Sequence, residues 1–288
     1  MENVIQMNDV SKSFKEFQLQ NMSFSIKKGF VTGFIGANGS GKTTILKMLL
    51  NLIKPDSGQI SIFGLDLQKH EKEIKERIGV VFDENILFES MSIHEIKKII
   101  APAYGGWEES DFQYYLDKFE LPQKQSINKF SKGMKMKASL AFALSHQAEL
   151  LLMDEPTAGL DPTFRREFLQ LLRELMLDEN KSILFSSHIT TDMDRIADYI
   201  TFIDQGAHVF TKEFYQIEKE FAVVRGNIEL LDQDTEREFL SIEKSNSSFE
   251  ALTNQVLNVE NLFGEEVLIE KASLEDIMYF TKRRRAHA

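Results

Sequence analysis

The stretch FIGANGSGKTT, Phe34 to Thr44, limits the possible folds of this chain more than any other. Three glycines fall within six residues, and a lysine and two threonines follow directly. Upstream, GFVTGFIG is a short apolar, β-branched and aromatic run that predicts a strand. Downstream, TTILKMLLNLI has its apolar residues at mixed spacings of three and four, which predicts a helix. The glycines therefore sit at a strand-to-helix turn. Such a turn aims several backbone N–H groups into one small space. Glycine tolerates φ > 0, and without a Cβ it lets a bulky anion approach the backbone. The helix N-terminus adds a partial positive charge. Gly36, Gly41, Lys42 and Thr43 match G-x-x-x-x-G-K-[ST], the phosphate-binding P-loop. In that motif Lys42 reaches the β- and γ-phosphates and the Thr43 hydroxyl binds Mg²⁺. A tight turn with a chance lysine is the competing account, and the flanking strand and helix disfavour it.

Size and charge set the outer limits. The chain has 288 residues, room for one large domain and a small one. A net charge of −11 argues against nucleic acid as the main partner, which would favour a basic face. The absence of cysteine removes disulfide and thiol chemistry and suits the cytoplasm. No apolar run approaches the roughly 18 residues needed to cross a bilayer. The N-terminal MENVIQMNDV lacks the basic and then hydrophobic pattern of a signal peptide.

Short strand-like runs fill residues 1–35, and SGQISIFG adds another strand or hairpin. From about Glu84 to Ala148 the pattern turns helical, which predicts an inserted helical subdomain. Then ELLLMDEP, SILFSSH and TFIDQG predict strands, separated by the helices FRREFLQLLRELML and TDMDRIADYI. Strands alternating with helices imply a mostly parallel sheet covered on both faces. The expected organisation is therefore an α/β core over 1–212 and a small α/β accessory domain over 213–288. In the latter, FAVVRG and EEVLIEK are strands, LEDIMYFTK is a helix and IEKSNSSFE is a polar stretch.

Three further stretches carry chemistry. In LLLMDEPTAGLD an apolar strand ends in two carboxylates, Asp154 and Glu155. Beside a P-loop, Asp154 is a candidate to hold Mg²⁺ through water. Glu155, one residue further out, is a candidate to polarise an attacking water. In FSKGMKMKASLAFAL, Ser131 is a predicted N-cap, with Lys132, Lys135 and Lys137 near the helix start. Cations there oppose the macrodipole, at about 0.3–1 kcal/mol each where exposed. The arrangement makes more sense if an anion docks on it, and a solvated lysine face is the plainer account. His188 ends the apolar run ILFSSH, at the edge of an open sheet where ligands bind. His70, His94, His146, His208 and His287 are read as packed or solvated.

Together, and in this order, these stretches resemble the nucleotide-binding domain of ATP-binding cassette (ABC) transporters over about Met1 to Lys212. The resemblance implies a P-loop ABC ATPase core with an antiparallel β subdomain. Phe14 in SKSFKEF stands where that family stacks an aromatic on adenine. Gly36, Ala37, Asn38, Gly39, Ser40, Gly41, Lys42, Thr43 and Thr44 form its Walker A. LLLMDE is its Walker B, with Glu155 as catalytic base, Asp161 closes its D-loop and His188 is its switch histidine. Ser131 and Gly133 belong to its signature motif. ATP and Mg²⁺ are the implied cofactors. A head-to-tail dimer is implied too, most simply of identical chains, with each ATP held between one chain's P-loop and the other's signature.

Two positions depart from the family pattern. The usual Leu-Ser-Gly-Gly-Gln is FSKGM here, so Lys132 replaces a glycine. Where the family has its Q-loop glutamine, Asp83 stands in VVFDENILF; aspartate is still an oxygen ligand suited to Mg²⁺. The stretches YGGWEESDFQYYLDKFEL, SKGM and ASLEDIMYFTKR are similar to those of ABC-2 type bacterial exporters, in which ATPase and permease are separate chains. The overall pattern is similar to the ATPases of staphylococcal phenol-soluble modulin exporters. The expected protein is an ATPase subunit at the cytoplasmic face of the cell membrane, with an integral membrane permease as partner. A ligand-responsive, non-transport regulator stays open as the alternative. The basic end KRRRAHA is a candidate for anionic lipid contact or a solvated tail.

Overall fold

The computed structural model describes residues 2–82 and 88–286, and of residues 284–286 the backbone alone. The chain divides into two compact units, Met1–Thr211 and Lys212–Ala288.

The first unit opens with an antiparallel pair, β1 (Asn3–Ser13) and β2 (Gln18–Lys27). Next, β3 (Val31–Ile35) runs into the glycine loop, and α1 (Lys42–Leu49) leaves it. β4 (Ser57–Ile62) returns antiparallel to β1 and pairs with β5 (Leu65–Asp66). A charged helix, α2 (Glu71–Glu76), leads into β6 (Ile78–Phe82), an edge strand that the sequence reading had not picked out. Helices α3 (Ile93–Ile100), α4 (Glu109–Lys118) and α5 (Lys132–Leu144) fill the stretch before β7 (Leu150–Asp154). Then come α6 (Pro162–Leu175), β8 (Ser182–Ser187), α7 (Thr190–Ile196), β9 (Tyr199–Asp204) and β10 (Ala207–Glu213).

Among the described residues, two sheets form in this unit, ordered β2-β1-β4-β5 and β10-β9-β3-β8-β7-β6. In the second, β6, β7, β8, β3 and β9 run parallel. Strands β3, β7, β8 and β9 are buried at every residue. That is why they read as continuous apolar runs without alternation. Helix α1 lies in the core between the sheets: Ile45, Leu46, Met48 and Leu49 pack with Ile5, Met22 and Phe24 of the antiparallel sheet and with Phe34, Leu150 and Leu184 of the parallel one. Each such side chain contributes about 1.5–3 kcal/mol on burial. The element that carries the P-loop is thus held by packing. The fold is the α/β P-loop class that the sequence predicts.

The second unit holds α8 (Phe214–Glu220), β11 (Ala222–Asn227), β12 (Ser241–Lys244), β13 (Ser248–Thr253), α9 (Val256–Phe263), β14 (Leu268–Lys271) and α10 (Leu274–Ala286). Its sheet is antiparallel, ordered β12-β13-β11-β14. Here IEKSNSSFE, expected as a polar stretch, is the β12–β13 hairpin. Ile242, Phe249 and Ala251 belong to an apolar cluster with Val259 and Phe263, while Ser245 and Ser248 bond each other across the turn. The serines that made the segment look like loop are its turn residues. Among the described residues, no helix is long and apolar enough to cross a membrane.

Candidate functional site

Strand order brings the motifs together. β8 lies between β3 and β7, with Ile35 opposite Ser187 and Asp154 opposite Ser186. The loops leaving β3, β7 and β8 therefore emerge side by side at the carboxyl end of the sheet, where open α/β sheets bind ligands. β6 ends at Phe82, opposite Asp154. Asp83, the expected further Mg²⁺ ligand, lies outside the described residues.

The P-loop is shaped by close backbone approaches. A Cβ on Gly36 would strike the Ile203 carbonyl oxygen, and one on Gly41 would meet the Leu19 and Phe17 side chains. Gly41 is the N-cap of α1 at φ 110, in left-handed territory, and no side chain caps this helix. The orphan N–H groups of the first turn are left for something other than protein. Ser40 is buried, and its Oγ has no hydrogen-bond partner. Asn38, Gly39 and Thr43 are exposed, and Ala37 and Thr44 are half-buried.

Lys42, only 6% exposed, curls back over the loop. Its Nζ donates to the Gly36 carbonyl at 2.7 Å and to the Ala37 carbonyl at 3.3 Å, and lies 3.6 Å from Glu155 Oε1. Burial pushes its pKa below the ordinary lysine value; the Glu155 carboxylate, and then Asp154, work against that shift. An uncapped helix start, a glycine cradle and a buried ammonium fit a nucleoside triphosphate.

Glu155 is the point of convergence. It has φ 48, a left-handed backbone that costs an L-residue roughly 1–2 kcal/mol. Its N–H is held by Ser186, at 3.0 Å from Oγ and 3.2 Å from the carbonyl oxygen. This bend turns the carboxylate toward Lys42 and His188. Glu155 Oε2 accepts from the His188 backbone N–H at 3.2 Å and lies 2.7 Å from the imidazole Nδ1. The neighbouring Asp154 is buried and accepts 2.6 Å from Ser186 Oγ. Ser186 thus holds the Asp154 carboxylate and the Glu155 backbone together, a role the sequence reading missed; a serine pair closing an apolar strand was the available signal. Phe14 is exposed and stacks on Phe17 at 6.3 Å between ring centroids. Phe17, also missed, lies against Gly41 and joins Phe14 to the loop.

Ser131, Gly133 and Asp161 gather at a separate groove of about 490 Å³, lined also by Lys132, Lys137 and Phe164. Ser131 caps α5, its Oγ accepting from the Met134 N–H at 3.2 Å. Asp161 caps α6 by accepting from the Thr163 and Phe164 N–H groups. Gly133 faces Phe164 closely enough that a Cβ would sit 3.0 Å from its ring. The helix lysines have protein neighbours: Lys135 pairs with Glu89 at 2.7 Å, and Lys137 lies 4.9 Å from the Phe164 ring centroid. His146, read as a packed histidine, is buried between the Phe142 and Ile78 carbonyls.

Comparison with known proteins agrees with this arrangement. Residues 19–158 match the family model described as ABC transporter. The chain is 36% identical over 209 residues to the bacitracin transport ATP-binding protein BcrA of Bacillus licheniformis, covering 72% of this chain and 68% of that protein. It is 33% identical to the lantibiotic transport ATP-binding protein SrtF of Streptococcus pyogenes, covering 73% of this chain and 91% of the relative. A solved structure described as an ATP binding subunit of an ABC transporter superposes with TM-score 0.68 at 26% identity, over 75% of this chain and 92% of the other.

Proposed function

Because this chain belongs to the ABC transporter family of ATP-binding subunits and is an ATPase of that family, we propose that it powers export through a separate integral membrane permease at the cytoplasmic face of the cell membrane. The observation that supports this is the convergence of Lys42, Glu155 and His188 on the P-loop, with Ser131, Gly133 and Asp161 on other elements of the same unit. In this reading residues 1–212 are the nucleotide-binding domain, 84–148 its helical subdomain and 213–288 an accessory domain.

The residues divide the work. Gly36 to Thr44 cradle the phosphates, with the Lys42 ammonium countering their charge. Phe14 stacks on the base. Glu155 accepts a proton from the attacking water, and His188 orients that carboxylate. Thr43, Asp154 and Asp83 hold Mg²⁺, which when bound offsets charge on the β- and γ-phosphates. Ser131, Gly133 and Asp161 serve the nucleotide of a second, identical ATPase chain. Nucleic acid is no partner of this acidic chain. The proposed cargo is an amphipathic peptide, with a phenol-soluble modulin exporter of ABC-2 type as the narrowest form. The relatives named for bacitracin and lantibiotic transport lend weight to that direction.

Affinity purification of the tagged chain from detergent-solubilised membranes tests the transport reading. A polytopic membrane protein should come down in stoichiometric amount and change the ATPase rate. Recovery of the chain alone, with ATPase activity answering to a soluble ligand, would replace transport with regulation. Asp83→Ala should raise the Mg²⁺ concentration needed for hydrolysis; a titration superimposable on wild type removes Asp83 from the metal site.

A further inference from the structure

One buried polar cluster is made of residues given no role so far. Asp192, in the first turn of α7, is 1% exposed, as is Thr157, two residues beyond Glu155. Thr157 Oγ1 donates to Asp192 Oδ2 at 2.6 Å. Arg165, on α6, donates through Nε to Asp192 Oδ1 at 2.6 Å and through Nη2 to Thr191 Oγ1 at 3.1 Å. One carboxylate thus grips both flanks of the loop Ala158 to Asp161. A buried carboxylate is retained only where its oxygens are paired, and here each oxygen holds a different segment.

What those segments have in common is the catalytic pair. Thr157 follows Glu155 through Pro156, and Asp192 follows His188 by four residues. The stretch between Asp154 and α6 has its start tied to β8 through Ser186 and its end shaped by the Asp161 cap. In the middle, Thr157 is held by Asp192. The 2.7 Å approach of His188 to Glu155 spans two loops, and Asp192 is the bond that sets one loop against the other.

We propose that Asp192 is a positioning residue, locking the Thr157–Asp161 loop to the His188 segment so that Glu155, His188 and Asp161 move as one body. The proposal rests on the assignment of Glu155 and His188 to the chemistry. It makes hydrolysis, but not nucleotide capture, depend on a residue that touches neither phosphate nor water. Lys42 keeps its bonds to the Gly36 and Ala37 carbonyls, which do not pass through Asp192.

Asp192→Asn in the purified full chain tests this, because it keeps shape and removes the charge facing Arg165. The expected result is a fall in kcat of roughly tenfold or more, with KM for ATP within about threefold of wild type, the pattern of a lost transition-state arrangement. Hydrogen exchange at the amides of residues 157–160 and 189–192 should rise together, with the P-loop unchanged. A wild-type kcat, or a KM that rises in step with the loss of kcat, overturns the proposal. If Asp192→Asn gives no cooperative melt, Thr157→Val carries the same test with the Arg165 pair intact. Glu155→Gln measured alongside separates the two levels. If it is inactive while Asp192→Asn turns over normally, only the positioning role fails. If Glu155→Gln itself hydrolyses ATP, the underlying site assignment fails and takes this proposal with it.

Discussion

Helices α1 and α5 each begin with a lysine after a short polar loop, and their N-termini are finished in opposite ways. At α1 the N-cap is Gly41, no side chain caps the helix, and Lys42 is buried against the loop carbonyls. At α5 the Ser131 hydroxyl takes the Met134 N–H, and Lys132 is exposed and lies beside Gly159. Glycine in place of a capping side chain costs only roughly a few tenths of a kcal/mol. Four fully buried side chains on α1 outweigh that several times over. The P-loop helix can therefore keep its N–H groups for a ligand. At the α5 terminus Ser131 caps one N–H group, that of Met134, and the groove beside it suits one half of a site shared between two chains. Lysine in the first turn is common to both, and burial decides what each lysine does.

The contrast can be broken most forcefully at Glu155. Glu155→Gln should keep ATP binding and lose hydrolysis by roughly 10²–10⁴-fold, the usual worth of a general base. Wild-type turnover in a purified sample would remove it from that role. Lys42→Ala acts one step earlier and removes a charge-assisted contact worth about 1.5–3 kcal/mol, so ATP affinity should fall roughly 10- to 100-fold in a direct titration. Unchanged affinity would undo the distinction drawn for α1.

On the α5 side the effects are smaller. Ser131→Ala should cost about 1 kcal/mol of stability through the lost cap, seen as a lower melting temperature. Nucleotide affinity of the monomeric chain should not change, because the P-loop supplies it. A large loss of monomer affinity would place Ser131 on the same nucleotide as Lys42. A further effect is a pH dependence at the far end of α5, where His146 ties Phe142 to Ile78 of β6. Burial holds its pKa below the ordinary histidine value, against the pull of the two carbonyls. The unfolded chain then binds the proton more readily. Stability should fall as pH drops below that ordinary value, by at most about 1.4 kcal/mol per pH unit from this one group. His146→Gln should flatten that part of a melting-temperature profile, and an unaltered profile would assign the dependence elsewhere.

Much of the site was legible because its parts are contiguous. A phosphate cradle is a backbone shape made by neighbouring residues, so FIGANGSGKTT announces it without a partner. An apolar run that ends in Asp154 and Glu155 likewise declares a buried strand with its acids at the mouth. Ser131 was readable as a cap because a cap bonds only two or three residues ahead. The IEKSNSSFE hairpin was not, since turn serines masked an alternation visible only once Ile242 and Phe249 share a core.

Spacing alone could not say which loops meet. Glu155 and His188 are 33 residues apart and reach 2.7 Å only because β8 inserts between β3 and β7. The left-handed bend at Glu155, the double service of Ser186 and the grip of Asp192 on Thr157 and Arg165 follow from that same strand order. Local sequence determines conformations whose hydrogen bonds close within a few residues. Contacts between distant loops are decided by which strands pair, and that choice is made by the burial of the whole sheet.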